Sequence, residues 1–180
     1  MRDTAVSART TIRRVTAEDA QAHVEPLTEV LLDCVHGGAS VSFMAPLARD
    51  RARDFWRKVL AEAAAGDRCV LVADDAEQGI VGTVQIVLAQ PENQPHRADV
   101  AKMLVHRAAR RRGIGEMLMR AAEEEARAAG KTLLVLDTAS DVAERLYRRL
   151  GWTMVGVVPG YALLPDGVPC ATTFFYKTLA

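Results

Sequence analysis

Between residues 98 and 137 the chain passes from an apolar strand pattern to a glycine turn, an amphipathic helix and a short all-apolar run. Ala98 to Val105 reads as a strand, Arg110-Arg111-Arg112-Gly113-Ile114-Gly115 as a turn, and Ile114 to Ala129 as a helix closed by Gly130. Thr132 to Asp137 follows, and its Leu133-Leu134-Val135-Leu136 core has the composition of a strand buried on both faces. Such an order demands a strand–helix–strand crossover, so the chain is an α/β protein. The turn inside this unit carries chemistry as well as topology. Gly113 and Gly115 lack a Cβ and let a ligand approach the backbone, while the first-turn N–H groups of the helix point outward with the positive end of its dipole behind them. Arg110, Arg111 and Arg112 add charge at the same point. This is a diphosphate cradle, with an ordinary basic loop as the alternative. A P-loop would need Gly-Lys-Ser/Thr, and the dinucleotide fingerprint a small residue where Leu118 stands, so a nucleotide-like ligand other than an NTP or NAD is expected.

Composition excludes several functions. The 180 residues carry 23 basic and 23 acidic side chains, and Glu116, Glu123, Glu124 and Glu125 dilute the arginines, so no nucleic-acid footprint is expected. No apolar stretch has the length of a signal peptide or a membrane span, which points to the cytoplasm. Cys34, Cys69 and Cys170 lie far apart within apolar periodic stretches and read as reduced, buried filler. The four histidines show no metal-ligand spacing, so no metal is expected.

The remaining elements complete a sheet of about seven strands with four helices. Residues 1–10 read as a flexible segment and 11–180 as one domain. A strand from Thr11 to Val15 leads into Thr16-Ala17-Glu18-Asp19, an approximate capping box, and Pro26 is expected to break or restart the helix it opens. That helical pattern stops at Gly37 and Gly38. A second helix spans about Leu47 to Ala65. Strands at Cys69 to Ala73 and Ile80 to Leu88 are close enough to pair as a hairpin. A helix from Val142 to Leu150 and strands at Thr153 to Val158 and Ala171 to Lys177 finish the chain.

The strand, Arg-x-x-Gly-x-Gly turn and helix, followed by Ala143-Glu144-Arg145-Leu146-Tyr147-Arg148-Arg149-Leu150-Gly151-Trp152, resemble the GNAT superfamily of acyl-CoA-dependent N-acetyltransferases. His36 to Met44, Leu136-Asp137-Thr138, Pro159-Gly160-Tyr161 and Pro165-Asp166-Gly167 are similar to segments of its tabtoxin-resistance group. The resemblance implies the GNAT fold, a mixed central sheet with helices on both faces, and acetyl-CoA as co-substrate. It places the CoA pyrophosphate on Arg110 to Gly115 and Glu116. The pantetheine arm falls on the backbone of Met103, Leu104 and Val105, where the splayed strand also frees a donor for the thioester carbonyl. Arg145, Arg148 and Arg149 are candidates for the ribose phosphate, with a solvated helix face as the alternative.

Transfer to an amine requires removal of a proton from the acceptor and delivery of one to the departing thiolate. The resemblance implies carboxylates at Asp99 and Asp137 for the first. The tabtoxin-resistance pattern carries a longer Glu where Asp99 stands, so a water relay is expected there. A strand-end charge and a turn-capping role are the alternatives for the two aspartates. Tyr147 is the implied general acid, its ring packing with Leu146 and Leu150 while its hydroxyl reaches the cleft. The acceptor pocket is expected around His36, Ser40, Phe43 and Tyr161, with Asp166 and the small Ser42 nearby, although His36 also suits the C terminus of its helix.

The sequence thus reads as an acetyl-CoA-dependent N-acetyltransferase acting on a small amine, such as an amino-acid-like toxin or antimetabolite. Family behaviour implies a homodimer. A peptide N-acetyltransferase would share the donor site, an acyl-CoA sensor would make Asp99, Asp137 and Tyr147 dispensable, and an interaction protein would have no use for the glycines.

Overall fold

Residues 9–180, which the computed structural model describes, form seven strands and four α-helices in chain order. These are β1 (Thr10–Arg14), α1 (Ala20–His36), α2 (Arg49–Ala64), β2 (Arg68–Asp75), β3 (Gly79–Val87), β4 (Arg97–Val105), α3 (Ile114–Ala128), β5 (Leu133–Thr138), α4 (Asp141–Arg149), β6 (Thr153–Leu163) and β7 (Pro169–Thr178). The strands make one sheet in the order β1-β2-β3-β4-β5-β7-β6. Only β4 and β5 run parallel, because the α3 crossover joins them, while all the other neighbours pair antiparallel.

Alternation along the strands divides the core between the two faces. On one face α1 and α2 bury Leu27, Leu31, Trp56 and Leu60 against Val70 and Val72 of β2 and Leu104 of β4. On the other, α3 and α4 bury Leu118, Met119, Leu146 and Tyr147 against Ala98, Leu134, Leu136 and Phe175. Burial of several large side chains on each face is what holds the two helix layers to the sheet, at about 1.5–3 kcal/mol for each fully buried residue.

Two irregularities in β4 shape the middle of the sheet. Its parallel pairing with β5 ends after Arg97↔Leu133, Ala98↔Leu134 and Asp99↔Val135, so the remainder of β4 has an open edge on the β5 side. Against β3 the register moves from Gln85↔Ala101 to Thr83↔Leu104, which inserts one extra residue into β4. Val100 joins the α3/α4 core, Met103 packs against it, and Leu104 lies in the α1/α2 core. Lys102 is therefore the inserted residue, and its φ of 51° is the backbone cost of the bulge.

Several expectations change. Pro26 lies inside an unbroken α1, because Val24, Leu27, Val30 and Leu31 are buried on both sides of it and their packing outweighs one missing backbone hydrogen bond. The Thr16 N–H donates to Asp19 Oδ1 at 2.7 Å and the Asp19 N–H donates to Thr16 Oγ1 at 3.4 Å, so the reciprocal pair of the expected capping box is present, closing the turn that leads into α1 at Ala20. In β5 only Leu134 and Leu136 are fully buried. Leu133 and Val135 are half-buried, on the face of β5 that contributes no residue to the α1/α2 core. Thr10 already pairs with Asp75 in β1; residues 1–8 of the segment expected to be flexible lie outside the described residues. Cys34 and Cys69 are buried, Cys170 is intermediate, and all three are free thiols.

Candidate active site

The basic turn lies at the C-terminal end of β4, as the sequence leads one to expect. Gly113 holds φ at 75°, a left-handed conformation that starts α3, and no side chain caps the helix. Met117 N–H is satisfied by the Gly113 carbonyl at 3.1 Å, which leaves the N–H groups of the preceding positions for a ligand. Gly115 is needed for a different reason. A Cβ there would come within 3.2 Å of Leu146 Cδ2 and 3.7 Å of Met103 Sδ, so the glycine lets α3 start close against α4 and β4. These features fit the diphosphate of an acyl carrier, with the open edge of β4 leading away from the turn.

The arginines divide between ligand-facing and internal work. Arg111 is exposed, with a φ of 61°. Arg110 Nε donates to the Val105 carbonyl at 3.1 Å. Arg112 is committed elsewhere: its guanidinium pairs with the fully buried Asp75 and donates to Thr10 Oγ1 at 3.3 Å, so only its main chain is left for the cradle. Burial opposes ionisation of Asp75, but the Arg112 guanidinium, the Glu77 N–H, the Thr10 hydroxyl and Arg9 hold its carboxyl well below the usual carboxylate range. Glu116 is held by Arg120 at 2.8 Å. Arg148 stacks over Phe175 at 5.6 Å and lies 3.7 Å from Glu144, Arg149 approaches Glu116 at 3.9 Å, and Arg145 is exposed.

Where β4 and β5 part, ionisable groups gather. Asp99 and Asp137 lie on the α1/α2 face, Asp99 opposite Val135 and Asp137 two residues further along β5. Asp99 is ion-paired with Arg97 and accepts from Gln90 Nε2 at 3.3 Å. Asp137 is exposed at the mouth of the gap. The surrounding protein desolvates its carboxyl and raises it, Lys102 pulls it back, and Asp99 raises it again, so that it ends above its ordinary value. Tyr147 is 5% exposed, its ring packed against Trp152 and Phe175 at centroid distances of 6.0 and 5.8 Å. Burial, with the charge of Asp137 adding to it, pushes the phenol well above its ordinary value, so it stays protonated and able to donate. Its oxygen is not among the buried unpaired polar atoms.

The segment after α1 closes over this gap. His36 Nε2 accepts the Leu47 N–H at 3.2 Å, which ties the two ends of the loop together. Phe43 likewise anchors the loop, edge-on to Phe55 of α2 at 5.2 Å. Ser40 Oγ donates to the Leu163 carbonyl at 3.4 Å and Ala45 N–H to the Pro165 carbonyl at 2.9 Å, so the loop reaches the β6–β7 hairpin. Tyr161 stacks edge-on against Phe174 at 5.5 Å, and Phe174 pairs with Asp137, so Tyr161 borders the same cleft. Asp166 Oδ1 accepts the Val168 N–H at 3.1 Å and shapes the hairpin turn.

Lys102 is the residue that the sequence reading passed over. Its Nζ donates to Ser42 Oγ at 3.0 Å, which joins the bulge in β4 to the covering loop. Desolvation lowers the ammonium from its ordinary value against the pull of Asp137, with Arg68 lowering it further. Among the described residues, the non-glycine positions with positive φ are Ser42 at 77°, Lys102 at 51° and Arg111 at 61°, and all three lie in this site. A lysine within an apolar strand reads as a solvent-facing alternation, and nothing local betrays the bulge.

A sheet opened between two parallel strands, with an uncapped helix start at one end of the opening and ionisable side chains beside it, is an arrangement suited to a group-transfer enzyme that sets a carrier-borne acyl group against a nucleophile. The profile of the Acetyltransferase (GNAT) family matches residues 35–152, and the chain belongs to that family. Among solved structures it is similar to yncA of Salmonella typhimurium, determined with acetyl-CoA, at a TM-score of 0.76 and 22% identity over 95% of this chain and 94% of that one. A phosphinothricin acetyltransferase from Sinorhizobium meliloti, in complex with AcCoA, gives 0.76 and 18% over 96% and 89%. The ribosomal-protein-alanine N-acetyltransferase of Brucella melitensis gives 0.76 and 24% over 94% and 99%. At these identities the likeness is one of fold.

Proposed function

We propose that the protein transfers the acetyl group of acetyl-CoA to the amine of a small, amino-acid-like molecule, in the manner of a detoxifying enzyme. The observation that carries the reading is the early end of β4–β5 pairing at Asp99↔Val135, which leaves an open strand edge running from the glycine turn to Asp137 and Tyr147. Acetyl-CoA supplies an activated thioester. Main-chain groups of Arg110 to Glu116 hold its diphosphate, and the open backbone of Met103, Leu104 and Val105 aligns the pantetheine arm. Asp137, with its carboxyl above the ordinary range, takes a proton from the acceptor ammonium, and Asp99 supports this through water. Tyr147 delivers a proton to the departing thiolate. Holding the reactants together contributes much of the remaining acceleration, about 7–11 kcal/mol in well-oriented systems.

The covering loop favours a small acceptor over a peptide. Ser40, Ser42 and Ala45 bond it to β6, to β4 and to the hairpin, so it crosses the gap that an extended chain would need to enter. Val155, Val157 and Val158 are 67%, 54% and 43% exposed on the edge strand β6, which supports a homodimer across this surface. Light scattering of the protein and of Val155→Lys tests that point.

The test of function is release of free CoA from acetyl-CoA with amino acids, small amines, β-lactam amino acids and peptides as acceptors, against heat-killed protein. Release confined to small molecules is expected. Release with peptides alone would overturn the small-acceptor reading, and CoA binding without any release would favour a sensor.

A further inference from the structure

We propose that Lys102, together with Ser42 and Gln85, forms a subsite for a carboxylate on the acceptor, which restricts the enzyme to amines bearing that carboxylate on the same carbon. The inference rests on the small-amine reading above and adds to it the group that selects among amines.

The bulge in β4 carries the argument. A regular strand would send residue 102 toward the α3/α4 core; the extra residue instead places Ala101 and Lys102 in succession on the α1/α2 face, where Asp99 and Asp137 lie. Ser42 accepts one of the three ammonium hydrogens of Lys102 and fixes the direction of the side chain. Both residues are held at positive φ, a conformation that persists only where surrounding structure requires it. No carboxylate lies within ion-pair distance of Nζ among the described residues, so two of its donors are unspent.

Gln85 supplies a second, independent observation. It is fully buried on β3, paired with Ala101 immediately before the bulge. Arg68 can only donate, so its 2.5 Å hydrogen bond fixes Oε1 of Gln85 toward it and Nε2 away. Nε2 has no partner, an arrangement that buried donors rarely keep without an acceptor arriving. Gln85 faces Ala101, one residue before Lys102, so the acceptor that fits is an anionic oxygen or the water it carries.

The charges on either side complete the match. Asp137 and Lys102 are both held in surroundings that oppose their charged forms. A ligand with an ammonium for Asp137 and a carboxylate for Lys102 relieves both at once, and an α-amino acid carries these two groups on one carbon. Other anionic groups of the same geometry would bind by the same contacts.

The experiment compares alanine, methionine, phenylalanine and glutamate with their α-carboxamides as acceptors. The carboxamides have the more readily deprotonated amines, so chemistry alone favours them. The wild-type protein is expected to prefer the free acids by about 10- to 100-fold in kcat/KM, the range of a charged hydrogen bond. Lys102→Met should bring that ratio close to one by raising KM for the acids, and Lys102→Arg should restore most of it. A wild-type ratio near one, or an equal loss toward acids and amides in Lys102→Met, overturns the subsite and leaves the enzyme reading standing. No turnover of either series by the wild type overturns both. The wild-type ratio keeps the test decisive if a variant fails to fold.

Discussion

Replacing Tyr147 by phenylalanine removes one oxygen and leaves the ring against Trp152 and Phe175, at 6.0 and 5.8 Å. The hydroxyl is not sealed among the buried polar atoms and donates no hydrogen bond within the described residues, so its loss should change stability by no more than about 0.5 kcal/mol. If the phenol protonates the leaving thiolate, kcat should fall by about 10²- to 10⁴-fold. At 1.36 kcal/mol per decade this is about 2.7–5.4 kcal/mol of lost transition-state stabilisation. Tyr147→Ala should lose the same activity but also about 3–5 kcal/mol of stability, because the ring is 5% exposed in the α3/α4 core. The assay is thiol-detected CoA release at saturating substrates, beside thermal unfolding and calorimetric titration with acetyl-CoA. Full turnover in Tyr147→Phe would refute the role of the phenol, whereas a fall in melting temperature as large as that of Tyr147→Ala would refute the division between ring and hydroxyl.

Activity should decline as pH falls through the raised Asp137 value, because protonation removes the base, and Lys102→Met should move that acidic limb to still higher pH by removing the charge that pulls it down; a limb that moves to lower pH would contradict the assignment. Gly113→Ala meets no atom within 4 Å but must hold φ at 75°, so a cost of about 1–2 kcal/mol should appear as a raised KM for acetyl-CoA with kcat little changed. Asp75→Asn should lower the melting temperature at neutral pH and weaken acetyl-CoA binding by releasing Arg112. The depressed carboxyl of Asp75 favours the folded state above the unfolded carboxylate pKa of about 3.9, and this contribution is lost only as pH falls further through the folded value. The melting temperature of the wild type should therefore respond to acid through Asp75, and that component should vanish in the variant.

Much of this protein can be read from contiguous residues. The crossover, the hairpin of β2 and β3, the glycine turn and the apolar stripe holding Tyr147 each depend on local periodicity or on a few adjacent side chains, and local backbone physics suffices to place them. Failures arise where residues distant in sequence compete. Pro26 should break a helix by its own geometry, yet two flanks of buried residues hold α1 continuous. Arg112 belongs by position to the ligand turn, but Asp75 claims its guanidinium. Nothing adjacent in sequence announces that His36 bonds the Leu47 N–H or that Phe43 packs on Phe55.

By itself the sequence determined the class of fold and the glycine turn after β4, because hydrophobic period and glycine placement act within one element, while the resemblance to the GNAT superfamily is what singled out Asp99, Asp137 and Tyr147 as candidates to move protons. Tertiary structure alone decided where β4 leaves β5, that the extra residue in β4 is Lys102, and which of the polar side chains near the gap are already spent. Those depend on strand register and on partners such as Ser42, Gln85 and Asp137, which are brought to Lys102 only when the sheet is assembled and the loop after α1 closes across it.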